Sequence, residues 1–117
     1  MRRDPRIPVQ LEALLESEGG NIKETITDLG LKGAFVTLPP KAEISRLVTL
    51  RFRPPQTPQE LEVLARMVRR ARQGAGFEFL NLDRQARYQL WSSLVPLWPD
   101  KIKNCPYCAQ ILTSQSQ

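Results

Sequence analysis

The sequence predicts a mainly β fold, in which six short antiparallel strands form a closed or nearly closed barrel and one C-terminal helix covers an open end. Three observations support this prediction. Short apolar segments alternate with polar residues, Gly and Pro turn signals separate them, and helical spacing appears clearly in one segment near the end. At 117 residues the chain is long enough to bury one core without a metal or a disulfide.

Four segments are predicted to be strands directly from their residue patterns. Residues 7–15 alternate between apolar and other side chains, and residues 21–27, which follow a Gly-Gly turn signal, are rich in β-branched residues. Residues 34–38 are compact and apolar and stop at a Pro-Pro pair, and residues 47–52 form the fourth segment. The glycine-containing segment 28–33 is expected to end the second strand and form a turn.

Residues 61–72 fit helical spacing and strand alternation equally well. The neighbouring segment 74–79 alternates Phe with small or polar residues and is plainly a strand. We therefore prefer a β-hairpin, with its turn near Gln73–Gly74.

A helix is predicted to begin after Asn81 or Asp83, either of which can cap it, and to run to about Leu94. Two prolines follow and end it. These features divide the chain into a barrel domain with its closing helix at residues 1–99 and a polar, weakly ordered tail at residues 100–117.

The composition favours an anionic partner. The formal net charge is +5 and the pI is about 9.7, values that suit a nucleic acid, a nucleotide or a membrane surface. The chain has no His, no convincing acid pair and no activated nucleophile, so we expect neither an enzyme nor a cofactor. No apolar run is long enough to span a bilayer and the N-terminus does not have the pattern of a signal peptide, so membrane insertion is not expected and a cytoplasmic location is.

The first candidate site is the arginine group Arg2, Arg3 and Arg6, on a proline-stiffened segment that leads into the first strand. Arginine binds phosphate through two parallel hydrogen bonds, and it also pairs with the O6 and N7 acceptors of guanine. Taken alone, the same residues also fit a solvated basic terminus.

The second candidate site is the segment that contains Asp28, Gly30 and Gly33. A carboxylate accepts hydrogen bonds from the donor edge of guanine, which arginine cannot satisfy. The glycines allow positive φ or the close approach of a ligand or another strand. Taken alone, the segment also fits a plain turn or bulge between two strands.

Together the two groups resemble the PilZ domain family, whose pattern is Arg-X-X-X-Arg followed some 20–30 residues later by Asp/Asn-X-Ser-X-X-Gly. Arg2 and Arg6 match the arginine positions, Asp28 the acidic position and Gly33 the final glycine. Gly30 departs from the pattern, because the family has serine there. The resemblance covers approximately residues 2–97.

The resemblance implies a PilZ-type six-stranded barrel that binds the bacterial second messenger cyclic di-GMP between its N-terminal segment and the Asp28 turn. Arg2 and Arg6 would hold a guanine edge and phosphate oxygens, Asp28 would accept from the donor edge, and Gly33 would permit the turn. The absence of a hydroxyl at Gly30 would remove a hydrogen bond worth about 0.5–1.5 kcal/mol.

These expectations describe a receptor whose arginine segment becomes ordered on binding and which passes the signal to a protein effector of unknown identity. Two alternatives stay open. One is an adaptor of the same fold that has lost nucleotide binding, because Gly30 replaces serine. The other is a general nucleic-acid-binding barrel, because of the +5 charge. The sequence leaves the oligomeric state and the ligand stoichiometry open.

The tail contains Cys105 and Cys108, a spacing that supplies half of a tetrahedral zinc site. With no second Cys pair and no His in the chain, zinc would have to be held between two copies. A reversible redox pair is a further alternative. We interpret the two residues as free thiols and predict no metal site.

Overall fold

Six strands form a closed antiparallel barrel in the computed structural model, which describes residues 6–97. The strand order around the barrel is β1-β2-β3-β6-β5-β4. The elements are β1 Arg6–Ser17, β2 Gly20–Gly30, β3 Gly33–Thr37, β4 Leu47–Phe52, β5 Leu61–Ala71, β6 Gly74–Phe79, helix α1 Arg84–Leu94 and the single 3-10 turn Val95–Leu97. The predicted fold class is thereby confirmed.

The inward-facing side chains of the strands fill the barrel interior and form the core. The largest of the fully buried side chains include Phe52 and Phe77. Leu90 and Leu94 of α1 are 0% exposed and belong to the same apolar cluster, so the helix packs onto the barrel with the face that carries these two residues. No helix within residues 6–97 is both long and apolar enough to cross a bilayer.

The end of β2 differs from the sequence-based expectation. Asp28 lies within the strand and not in a turn, because it pairs with Pro8 of β1 on one side and with Phe35 of β3 on the other. Bulges on both sides, between Pro8 and Leu11 and between Ile26 and Asp28, absorb the register shifts. Asp and Gly are poor strand formers, and pairing on two sides overrides that preference.

The ambiguous segment after the proline-rich loop is a strand, as preferred. Its hairpin with β6 closes at the pair Ala71–Gly74. Arg70 holds this hairpin by donating to the carbonyl oxygen of Gly74 at 2.8 Å and to that of Pro39 at 2.8 Å. The hairpin is therefore tied to the loop after β3, which fixes β3 and β6 at this end of the barrel.

We predict that Asp83→Ala destabilises the protein, because the Asp83 carboxylate accepts from the backbone N–H of Ala86 at 2.7 Å and caps α1. The loss should be about 1 kcal/mol. In thermal unfolding followed by circular dichroism, this corresponds to a fall in Tm of roughly 4 °C. Asp83→Asn keeps the cap and is the control; an equal fall for both variants would contradict the capping role.

Candidate functional site

Arg6 and Asp28 lie side by side on the outer surface of the barrel. Arg6 pairs with Gly30 and Pro8 pairs with Asp28 across β1 and β2. Residues two apart on a strand face the same side, so the Arg6 and Asp28 side chains emerge together. The Arg6 Nη1 atom donates to the Asp28 Oδ1 atom at 3.0 Å. The β1–β2 register thus brings the cationic and acidic halves of the candidate site into contact.

The two side chains are partly buried, and both remain accessible to a ligand. The exposed fraction is 22% for the Arg6 side chain and 32% for that of Asp28. The Arg6 Nε atom is buried and finds no hydrogen-bond partner among residues 6–97. A buried donor without a partner is energetically unfavourable.

Gly33 lies where the β6 backbone and the Arg6 side chain both approach the chain closely. A Cβ atom at this position would overlap the carbonyl oxygen of Phe77 on β6 and would lie 3.3 Å from the Arg6 Nη2 atom. The expected close approach at Gly33 is therefore present. The expected positive φ is not, because Gly20 is the glycine of the described range that adopts one.

Gly30 is the last residue of β2 and is buried opposite Arg6. It lacks the serine hydroxyl of the family pattern, so position 30 offers a ligand no side-chain hydrogen bond. Lys32 follows in the short turn and is exposed, while its carbonyl oxygen accepts from the backbone N–H of Phe79 at 2.8 Å. The turn is thus attached to β6 and holds the glycine end of β2 in place.

Phe35 and Arg69 lie on the same outer face, although neither belongs to the two motifs that mark the candidate site in the sequence. Phe35 is the β3 partner of Asp28, and the Arg69 guanidinium carbon lies 5.7 Å from the centre of the Phe35 ring. Outward-facing Phe35 breaks the rule that apolar residues face the core. That exception is the signal in the sequence that could have marked it, once the neighbouring Ala34 and Val36 were assigned to the interior.

A groove of about 670 Å³ opens elsewhere on the barrel, on β1, β4 and β5. Glu16, Glu18 and Arg46 line it, together with residues that include Leu47 and Leu64. The two carboxylates outnumber the one guanidinium, and a lining of net negative charge disfavours an anionic ligand. The Arg6–Asp28 pair is therefore the better candidate site.

Several predicted residues lie outside the described range. These are Arg2 and Arg3 of the arginine group and Cys105 and Cys108 of the tail. The predicted boundary between the barrel domain and the tail lies there as well. Within residues 6–97, no three His, Cys, Asp or Glu side chains are grouped as metal ligands.

Comparison with known proteins identifies relatives by family pattern and by fold. The family model described as PilZ domain matches residues 1–94. No curated protein matches the chain by sequence. Among solved structures, the PilZ domain of CeSA from a cellulose-synthesizing bacterium is 21% identical with a TM-score of 0.60, and the match covers 80% of this chain and 97% of that one.

Two further structures share the fold. The PilZ domain of YcgR from Escherichia coli, solved with c-di-GMP, has a TM-score of 0.67 at 15% identity, covering 87% of this chain and 94% of that one. The Bacillus subtilis inhibitor of motility MotI/DgrA has a TM-score of 0.64 at 14% identity. That match covers 100% of this chain and 54% of MotI, so the chain spans about half of the MotI structure.

We predict that Gly33→Ala destabilises the protein and that Gly76→Ala does not. A Cβ atom at Gly33 overlaps β6 backbone, whereas one at Gly76 meets nothing nearer than the Arg69 Cβ atom at 3.9 Å. Urea unfolding should show a loss of about 1–3 kcal/mol for Gly33→Ala. Gly76→Ala should be neutral or stabilising by up to about 1 kcal/mol, because a strand glycine gives up more entropy on folding. Equal destabilisation of both would contradict the assignment of Gly33 as the tightly packed position.

Proposed function

The chain belongs to the PilZ domain family, and on that premise we propose that it is a receptor for cyclic di-GMP that acts by binding and not by catalysis. The observation that carries this proposal is the 3.0 Å contact between Arg6 and Asp28 on the outer barrel surface. A PilZ domain of the same fold has been solved with c-di-GMP, which supports the choice of ligand.

The pair offers complementary chemistry to one guanine. The Arg6 guanidinium donates and suits the O6 and N7 acceptors, whereas the Asp28 carboxylate accepts and suits the N1–H and N2–H₂ donors. Because both side chains leave the same face of neighbouring strands, a single base can meet them together.

The existing ion pair is no obstacle to binding. Both partners are partly exposed, and pairs of this kind contribute only about 0–1 kcal/mol. A guanine that separates the two groups replaces this weak contact with hydrogen bonds to charged groups, which are stronger. The free protein therefore holds the two groups near their binding positions at little energetic cost.

Arg2 and Arg3 complete the proposed site. They precede Arg6 by four and three positions, and their guanidinium groups suit the two phosphates of the ligand. We propose that the segment from Arg2 to Arg6 becomes ordered around cyclic di-GMP and that a cytoplasmic effector protein reads the changed surface. We also propose that the binding domain ends at residue 99 and that residues 100–117 form a separate tail.

A second candidate is an adaptor of this family that no longer binds nucleotide. Gly30 favours it, because the serine hydroxyl of the family pattern is missing beside Arg6. In that case Arg6 and Asp28 would serve as a surface ion pair. The two candidates differ in whether cyclic di-GMP produces heat on titration.

Isothermal titration calorimetry with cyclic di-GMP tests the receptor proposal. The wild-type protein should bind, and Arg6→Ala should lose about 1–3 kcal/mol of binding free energy, a loss of affinity of roughly five- to 150-fold. Arg53→Ala removes the same charge from the exposed loop that follows β4 and should bind like wild type. If wild type gives no heat, the adaptor candidate takes precedence; if Arg6→Ala binds as tightly as wild type, the site is wrong.

Gly30→Ser should strengthen binding, because it restores the hydroxyl that the family pattern has beside the arginine. One added hydrogen bond is worth about 0.5–1.5 kcal/mol, which is an increase in affinity of roughly two- to tenfold. The same calorimetric titration measures it, with the thermal midpoint as a check on folding. Unchanged affinity in a folded Gly30→Ser protein would show that position 30 does not touch the ligand.

A further inference from the structure

A row of outward-facing residues runs from the Arg6–Asp28 pair across the barrel wall. Its members are cross-strand partners on five successive strands: Pro8, Asp28, Phe35, Gly76 and Arg69. Neighbouring strands lie about 4.8 Å apart, so Gly76 is roughly 10 Å from Asp28 along this row. If Asp28 binds one base of a cyclic dinucleotide, Gly76 is near enough for the other base of the same molecule to reach it.

Gly76 leaves the middle of this row open. A Cβ atom built there meets nothing nearer than the Arg69 Cβ atom, and its φ is not positive, so neither packing nor backbone conformation requires glycine. Glycine also weakens a strand interior. Gly33 and Gly74 are different, since a Cβ at either one would overlap a backbone carbonyl oxygen. A glycine that the barrel does not need is a position where a ligand can approach the backbone.

Phe35 and Arg69 form the far wall of this opening. The Phe35 ring lies over Gly74, which leaves Gly76 uncovered, and the Arg69 guanidinium lies over the ring. Arg66 is paired with Glu78, and Arg70 is bound to backbone carbonyls. In contrast, Arg69 forms no ion pair with any carboxylate of residues 6–97.

An aromatic ring and a guanidinium plane beside a flat stretch of backbone suit the face of a nucleobase. We propose that Phe35, Gly76 and Arg69 form a second subsite, which takes the second purine of the cyclic dinucleotide. This inference rests on the proposed function: Arg6 and Asp28 bind the first guanine, and the second stacks at Arg69 and Phe35 with the Gly76 backbone beneath it.

The test is calorimetric titration of cyclic di-GMP into Gly76→Val and Arg69→Gln. Valine fills the opening, and glutamine removes the guanidinium while keeping a similar length. Each variant should lose affinity by roughly five- to hundredfold, as removal of a base-stacking contact does. Arg53→Ala is the control for charge. Gly19→Val is the control for added volume, because it enters open space in the β1–β2 turn at the opposite end of β1 from Arg6.

The outcomes separate this inference from the function on which it rests. If Arg6→Ala weakens binding but Gly76→Val and Arg69→Gln bind like wild type, the second subsite is overturned and the receptor proposal stands. If wild type does not bind, both are overturned. Should Gly76→Val have a lowered Tm, then Arg69→Gln together with Phe35→Ala decides. A shift of the Gly76 amide resonance on adding cyclic di-GMP, and its absence with guanosine monophosphate, would support the subsite independently.

Discussion

The candidate site depends on the register of β1 against β2. Ile7 pairs with Leu29, and both side chains are buried in the core. The residues on either side of this pair therefore point outward, which places Arg6 and Asp28 on the surface together. A slip of one residue would turn Asp28 into the apolar interior, where an ionised carboxylate is strongly unfavourable. The core thus fixes the position of the charged pair although it makes no polar contact with it.

The weakness of the Arg6–Asp28 pair suits a binding site better than a strong ion pair would. A fully buried pair would have to be broken at a cost of several kcal/mol before a ligand could enter. Here both side chains keep access to solvent, at 22% for Arg6 and 32% for Asp28. The barrel consequently orients the two groups, while their exposed polar atoms remain available to a ligand.

Much of the fold is readable from local patterns. Alternation places the strands, the carboxylate of Asp83 marks the start of the helix, and the two charged motifs suffice for the family resemblance. The end of β2 is not readable in this way, because Asp28 and Gly30 favour a turn until β1 and β3 pair with that segment on both sides. Arg69 is harder still. Its place beside Phe35 follows from the non-local order β3-β6-β5, including a bulge in β5, and no local pattern encodes that order.

The distribution of the arginines bears on the kind of anion that the barrel can bind. Arg51 is paired with Glu16 and Glu62, Arg66 with Glu78, and Arg70 with backbone carbonyls, so these three arginines are neutralised or structurally engaged. A surface that binds a nucleic-acid backbone needs a continuous run of cations available for phosphate. The row of outward-facing residues instead has Arg6 near one end and Arg69 at the other, with β2, β3 and β6 between their strands on this side of the closed barrel. Two separated cations around an open glycine match a compact dianion with two bases better than a long polyanion.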